Sequence, residues 1–275
     1  MKELSCFTCF IDIGRSNWSS YERSTDRYVN DFISFYSRVK LNLTIFCSDD
    51  FKEYLLSKID KNKFNSKLNF QIIDTSDLKY FSDENLKKIE GIQKSETMID
   101  YRKRDPSNPP EYSNPYWVAM MLSKAHILKI AKDRGIIYDN NIAWIDFGIA
   151  HSCQDYVDRI ENKTLCEPDT NKIIFFNRQN IELSGDPFFY AKLSDNVLVP
   201  GGFFIVPSNL IDTYYDRFNN IVEDMFFKNN IIDDDQTIMS IFANHNSDIC
   251  SVISSVNYKN NPMEGDWFPI FDYLK

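Results

Sequence analysis

At 275 residues, 43% of them apolar and 15% aromatic, the chain has ample material for a core, which excludes a disordered protein and fits one large α/β domain. A net charge of −9, with lysines scattered as at Lys58, Lys61, Lys63 and Lys67, excludes a nucleic-acid groove, because counterion release needs clustered cations. Eight glycines are too few for a glycine-rich phosphate cradle to be the main binding device.

Leu4 to Ile13 is a largely apolar run that ends in Asp12, Gly14 and Arg15, as a buried parallel strand leading into a functional loop would. Cys6 and Cys9 lie in this run at an offset of three, so their thiols face opposite sides of a strand and share no metal. The remaining cysteines have no metal-type spacing and read as buried thiols. Ser24 to Val39 carries Tyr28, Phe32, Phe35 and Tyr36 at helical spacing. Leu41 to Cys47 is a second strand, Asp50 opens a helix through Ile59, and Leu68 to Ile73 is a third strand. The resulting β-α-β-α-β order predicts a nucleotide-binding half, with Asp12, Arg15 and Asp49 at the carboxyl edge of the strands.

The polar stretch Ile99 to Pro115, with four prolines, is predicted to be a long loop. Tyr116 to Asp133 follows as one strong helix, ended by Arg134-Gly135. Ile142 to Ile145 is a buried strand running into Asp146 and Gly148. Lys172 to Phe176 and Val197 to Pro207 are further strands, the second interrupted at Pro200-Gly201-Gly202. Asn209 to Phe227 is an amphipathic helix, Gln236 to Ala243 another, and Ile249 to Ile253 the last strand. The start at Met1-Lys2-Glu3-Leu4 shows no signal-type apolar region and no stretch approaches a membrane span, so the expected location is cytoplasmic. The Asn-x-Ser/Thr triplets at Asn17, Asn42 and Asn162 then read as chance matches.

The chemistry-bearing positions are few. Asp146, a carboxylate at a strand end, either caps a turn or holds a divalent cation that would neutralise a diphosphate. Trp144 and His151 could converge on the same cleft. Asp146-Phe-Gly148 also fits a kinase fragment, but no His-Arg-Asp segment or glycine-rich loop accompanies it. Lys124 could reach a phosphate or lie solvated on its helix, and His126 reads as a packing histidine. Gly201 and Gly202 mark a bulge or the close approach of a sugar. Asp233, Asp234 and Asp235 suit a helix start, and three in a row leave one, Asp235, for a general base.

Phe10-Ile-Asp-Ile-Gly-Arg15 with Asn17-Trp18, Asn114-Pro-Tyr116, Leu122-Ser-Lys124, Trp144-Ile-Asp-Phe-Gly148 and Asp235-Gln236 together resemble the HtrL/YibB family of bacterial proteins. That family is grouped with GT-A glycosyltransferases and is associated with lipopolysaccharide and capsule genes. The resemblance implies an α/β, GT-A-like fold with a mostly parallel sheet flanked by helices. It implies one domain over 1–275, with a nucleotide-sugar half at 1–150 and an acceptor half at 151–275. It further implies transfer of a sugar from a nucleotide-sugar donor, a UDP-sugar first, to a glycan or lipid-linked glycan at the inner face of the membrane.

On the same resemblance Asp12, Arg15, Trp18, Lys124, Trp144, Asp146 and Gly148 would bind the donor. Gly201, Gly202 and His151 would face the acceptor, with Asp235 and Gln236 as catalytic groups. Asp146 would hold Mn²⁺ or Mg²⁺, although Gly148 stands where an Asp-x-Asp motif has its second carboxylate. His151 or the Asp233 to Asp235 carboxylates would complete that coordination. The rival expectations are a non-catalytic nucleotide- or sugar-binding protein and a nucleotidyltransferase.

Overall fold

A computed structural model describes residues 3–60, 63–102, 109–151, 157, 160–177, 199–254, 270, 274 and 275. In chain order the main elements are β1 (Ser5–Cys9), α1 (Thr25–Tyr36), β2 (Asn42–Cys47), α2 (Asp49–Lys58) and β3 (Lys67–Ile72). Next come α3 (Asp83–Gln93), α4 (Glu96–Arg102), α5 (Pro115–Leu122), α6 (Lys124–Asp133) and β4 (Asn141–Ile145). The second half adds β5 (Ile173–Asn177), β6 (Phe203–Pro207), α7 (Ile211–Val222), α8 (Asp235–His245) and β7 (Cys250–Ser254).

The strands form a 7-stranded sheet in the order β3-β2-β1-β4-β6-β5-β7. β3, β2, β1 and β4 are mutually parallel, and β5 is parallel to β7. β6 pairs antiparallel with both β4 and β5, so it runs against the rest. The expected mostly parallel, helix-flanked sheet is therefore present. Successive strands move outward from β1 through β2 to β3, then the chain returns to place β4 on the other side of β1. That reversal opens a crevice at the carboxyl ends of β1 and β4.

Both faces of the sheet are covered, which is why the central strands are buried on both sides. Phe7, Cys9, Ile142 and Trp144 pack on the side of α3, α5, α6, α7 and α8. Cys6, Leu43, Ala143 and Ile145 pack on the opposite side with α1 and α2. Cys6 and Cys9 thus fall in different cores, as strand alternation requires. The same alternation makes Asp146, just beyond β4, follow Trp144 towards α6.

Several boundaries differ from the sequence reading. β1 stops at Cys9, because Asp12 Oδ1 accepts the Gly14 amide at 2.8 Å and Gly14 turns the chain with φ +73°. The expected helix from Tyr116 to Asp133 is broken at Ser123, whose Oγ donates to the Ala119 carbonyl at 2.7 Å while its amide bonds Met120. Such back-bonding competes with the helical ladder and bends it. Ser48, rather than Asp50, caps α2 by accepting the Phe51 amide. The expected loop from Ile99 to Pro115 begins inside α4 and ends in a 3-10 turn at Pro110–Tyr112, and 103–108 lie outside the described residues. The expected helix to Phe227 leaves α-geometry after Val222 for a π-helical turn at Glu223–Lys228. Helix α3, capped by Ser82, was not anticipated at all. Among the described residues no helix is long and apolar enough to cross a membrane.

On the α1 side, the Phe32 ring is fully buried and stacks on Phe147 with centroids 4.4 Å apart and on Tyr36 at 4.3 Å. Phe32→Ala is expected to lower the unfolding free energy by about 3–5 kcal/mol. Tyr138→Ala, at an exposed position, should stay within about 0.5 kcal/mol in the same denaturant titration.

Candidate functional site

A cleft of about 300 Å³ opens at the β1/β4 crevice, between the loop after β1, the turn after β4, the Pro200–Gly202 turn before β6 and the start of α8. Its size is at the lower end of small-molecule sites. β6 runs against its neighbours, so the turn that enters it arrives at the carboxyl edge and closes the floor.

The centre of the floor is Lys124, at the start of α6. Its side chain is only 3% exposed. Nζ lies 2.8 and 3.0 Å from the two carboxylate oxygens of Asp146, 2.8 Å from Asp235 Oδ2 and 3.0 Å from the Gly201 carbonyl. Burial alone would lower the ammonium's pKa, but Asp146 and Asp235 outweigh it, so Lys124 stays protonated. Asp235 is 1% exposed, and burial raises its carboxyl pKa, with Lys124 opposing and Asp146 reinforcing the shift. No donor is aligned with either Asp235 oxygen, so its tie to Lys124 is an ion pair and not a directed hydrogen bond. Asp146 is the carboxylate with access, 32% exposed, and Trp144 Nε1 donates to its Oδ1 at 2.7 Å.

The glycines around this group have particular neighbours. A Cβ on Gly201 would sit 2.2 Å from Asp235 Oδ2, so only glycine brings the carbonyl to Nζ. A Cβ on Gly202 would meet Ile149, and one on Gly148 would strike Tyr28 and approach Arg23. The close approach foreseen for the Gly-Gly pair is thus made by the protein's own carboxylate, although both glycines line the cleft.

Asp233 and Asp234 serve the start of α8. Asp233 accepts from the Asp234 amide and the Thr237 hydroxyl, and Asp234 accepts both the amide and the Nε2 of Gln236. That leaves Asp235 facing the cleft and Gln236 beside it, with Gln236 Oε1 buried and without a donor.

The opposite wall is cationic and aromatic. Arg15 is buried, with its guanidinium 4.8 Å from the Trp117 ring centre, 5.5 Å from Trp18 and 5.8 Å from Tyr28. Its Nε donates to the Tyr21 carbonyl and its Nη1 to the Tyr28 hydroxyl, so it also holds the loop between β1 and α1. Arg23 lies over the Tyr28 ring at 4.7 Å, and its buried Nε finds no acceptor among the described residues. Asp12 lines the cleft, but both its oxygens are engaged, by the Gly14 amide and the Thr25 hydroxyl.

The structure therefore brings Asp12, Arg15, Lys124, Trp144, Asp146, Gly148, Gly201, Gly202, Asp235 and Gln236 to one cleft. Trp18 stands behind Arg15, in edge contact with Trp117, and does not line it. His151 turns away to within 3.6 Å of Asp31 Oδ2 and is not brought together with Trp144 and Asp146. His126 packs on Tyr215 and accepts the Lys79 amide, as a packing histidine does. Sequence reasoning missed Arg23, Tyr28 and Trp117. Arg23 precedes the Ser24 cap of α1 and carries no local mark that separates it from a solvated arginine.

The expected divalent cation meets a poor donor set here. Asp146 is already occupied on both oxygens by Lys124 and Trp144, Gly148 offers no ligand, and His151 faces elsewhere. Among the described residues no group of three His, Cys, Asp or Glu side chains could hold a metal ion. The cation that the fold itself sets between Asp146 and Asp235 is the Lys124 ammonium.

Two expectations follow. Lys124→Met leaves a buried carboxylate unpaired and should lower the unfolding free energy by about 3–5 kcal/mol, with Lys124→Met/Asp235→Asn recovering part of the loss in urea titrations. His151 is depressed from 6.5 to about 4 by burial and then by Arg23, Arg27 and Arg15, so its contact with Asp31 involves a neutral imidazole. An unfolded chain takes up that proton from about pH 6.5 downward and the folded one does not, so this contribution to stability is lost between about pH 6.5 and 4. Histidine resonances followed by NMR should show the late titration, and His151→Gln should reduce the fall in urea midpoint across that window.

The comparisons with known proteins agree with one another at the level of the sequence. The chain is 23% identical over 272 residues to "Protein HtrL" of Escherichia coli strain K12, covering 96% of this chain and 90% of that protein. Among solved structures it is similar to the apo crystal structure of mouse xyloside xylosyltransferase 1, with a TM-score of 0.43 and 9% identity, over 92% of this chain and 85% of that one. The family model described as "Bacterial protein of unknown function (HtrL_YibB)" matches residues 2–275. The chain belongs to the HtrL_YibB family of bacterial proteins.

Proposed function

We propose that this protein is a glycosyltransferase whose cleft takes a nucleoside diphosphate sugar, a UDP-sugar first, and delivers the sugar to a glycan hydroxyl in surface polysaccharide synthesis. The observation that carries this reading is the pairing of unlike walls across one cleft at the strand-order reversal. Arg23 and Arg15 form a cationic, aromatic side in a chain of net charge −9. Asp146, Lys124 and Asp235 form the carboxylate floor.

Each part has a task. Arg23, a cation lining the cleft, suits a diphosphate oxygen, and the Tyr28 and Trp117 rings offer faces for a base or sugar. Gln236 Oε1 is an acceptor awaiting a hydroxyl, and Asp146 is the floor carboxylate with access to the cleft. In the transfer, the acceptor oxygen bonds to the anomeric carbon while the bond to the diphosphate breaks and its electron pair leaves with the phosphate. The hydroxyl proton passes to the Asp146–Asp235 pair, whose negative charge exceeds that of the single ammonium between them. Arg23 and Arg15 offset the charge that develops on the leaving group. A lipid-linked acceptor would bring the enzyme to the cytoplasmic face of the membrane.

Gly148, in place of a second carboxylate, favours a second reading, a binding protein that holds the nucleotide sugar without turnover. A thermal-shift screen of UDP-, GDP-, CMP- and dTDP-sugars tests both. A ligand at 100 times its dissociation constant adds about 2.7 kcal/mol of stability. One nucleotide family should shift the melting temperature, and Arg23→Gln should weaken that ligand by about 10- to 100-fold, the loss of a charge-assisted hydrogen bond. Absence of any shift removes the transferase reading. Binding with no release of nucleoside diphosphate across acceptor glycans favours the binding protein.

A further inference from the structure

We infer that Lys124 is the site's own cation, holding together by its ammonium the two carboxylates that a divalent metal would otherwise bridge. The inference concerns the protein alone and stands whether or not the ligand is a nucleotide sugar.

The geometry carries it. Four oxygens surround Nζ within 3.0 Å, contributed by three groups, Asp146, Asp235 and the Gly201 carbonyl. Asp146 and the Gly201 carbonyl accept hydrogen bonds from Nζ, and Asp235 adds a second negative charge at ion-pair distance. The contacts are 2.8 to 3.0 Å, the range of charged N–H···O pairs. Mg²⁺ would need about 2.0–2.1 Å and octahedral oxygens, a smaller and more crowded shell than this one.

The surroundings hold that arrangement in place. Trp144 Nε1 fixes the Asp146 carboxylate from one side. Gly201 leaves room for Asp235 that no larger residue would, and its carbonyl completes the shell. Lys124 is fixed in turn by the helix break at Ser123, which makes it the first residue of α6. A divalent ion brought to Asp146 would stand beside a buried ammonium and be repelled by it. Asp235 oxygens without aligned donors show what Lys124 supplies: charge to a carboxylate that has no other counterion within reach.

The test uses Mn²⁺ alone, read from the EPR signal of the free aqua ion, on the whole chain without nucleotide. The wild type is expected to leave free Mn²⁺ undiminished at protein-equivalent concentrations. Lys124→Met leaves the accessible Asp146 and the buried Asp235 without the cation between them and should bind about one equivalent, lost again in Lys124→Met/Asp146→Asn. Circular dichroism and melting curves confirm which variants are folded. One equivalent of Mn²⁺ on the wild type that Asp146→Asn removes overturns the inference. So does a folded Lys124→Met that binds none. Where Lys124→Met does not fold, the wild type and Asp146→Asn decide the matter between them.

Discussion

The ion pair of Lys124 with Asp146 and Asp235 ties together four segments at the floor of the cleft, two of which are also joined by the bond from the Asp146 amide to the Gly202 carbonyl. Asp146 follows β4, Asp235 begins α8, Gly201 leads into β6, and Lys124 begins α6. A buried ammonium is tolerated only with its full complement of acceptors, and a buried carboxylate only with a counterion. Each of the four segments is therefore held by the needs of the others. The cleft lies over this junction and inherits its rigidity. Hydrophobic burial on both faces of the sheet supplies most of the stability, but it does not by itself fix where four chain ends meet.

The opposite wall follows a different logic. Arg15 is enclosed by three aromatic rings and spends its hydrogen bonds on the loop it closes. It is a cation used as a structural post. Arg23, next to it, keeps a donor in reserve. His151 reports on their combined field, since burial and three nearby guanidiniums keep its imidazole neutral far below the ordinary range. A cleft with this polarity distinguishes its two ends for any ligand that carries charge on one side and hydroxyls on the other.

Much of the sheet was legible in the sequence because parallel strands covered on both faces are short apolar runs, and β1, β2, β4 and β5 are such runs. The parity of Cys6 and Cys9 was legible for the same reason, as was Asp146 at the end of Trp144-Ile145. Asp234 and Asp233 read correctly as helix-start residues from their local chemistry. Other features depend on partners distant in sequence. Lys124 has the local sequence of a helix lysine, and only the fold brings Asp235 to it. The break at Ser123 comes from a serine that could equally have pointed outward. Arg23 and Trp117 acquire their role only when the β1–α1 loop and α5 are brought to the same cleft. The expected place of His151 in the cleft failed because the turn after β4, with His151 N bonded to the Gly148 carbonyl, swings the imidazole towards α1.

The narrow gap between Gly201 and Asp235 also bears on how such a chain can diverge. A side chain at position 201 is excluded unless the residue at 235 shrinks, and a smaller residue at 235 leaves Lys124 with one carboxylate instead of two. Loss of the ammonium, in turn, strands whichever acid remains. Positions 124, 201 and 235 therefore form a single unit of inheritance: descendants would keep all three or replace them together, passing through intermediates that fold poorly. Drift at the Arg23 wall faces no such barrier, so new ligand preferences would arise there first.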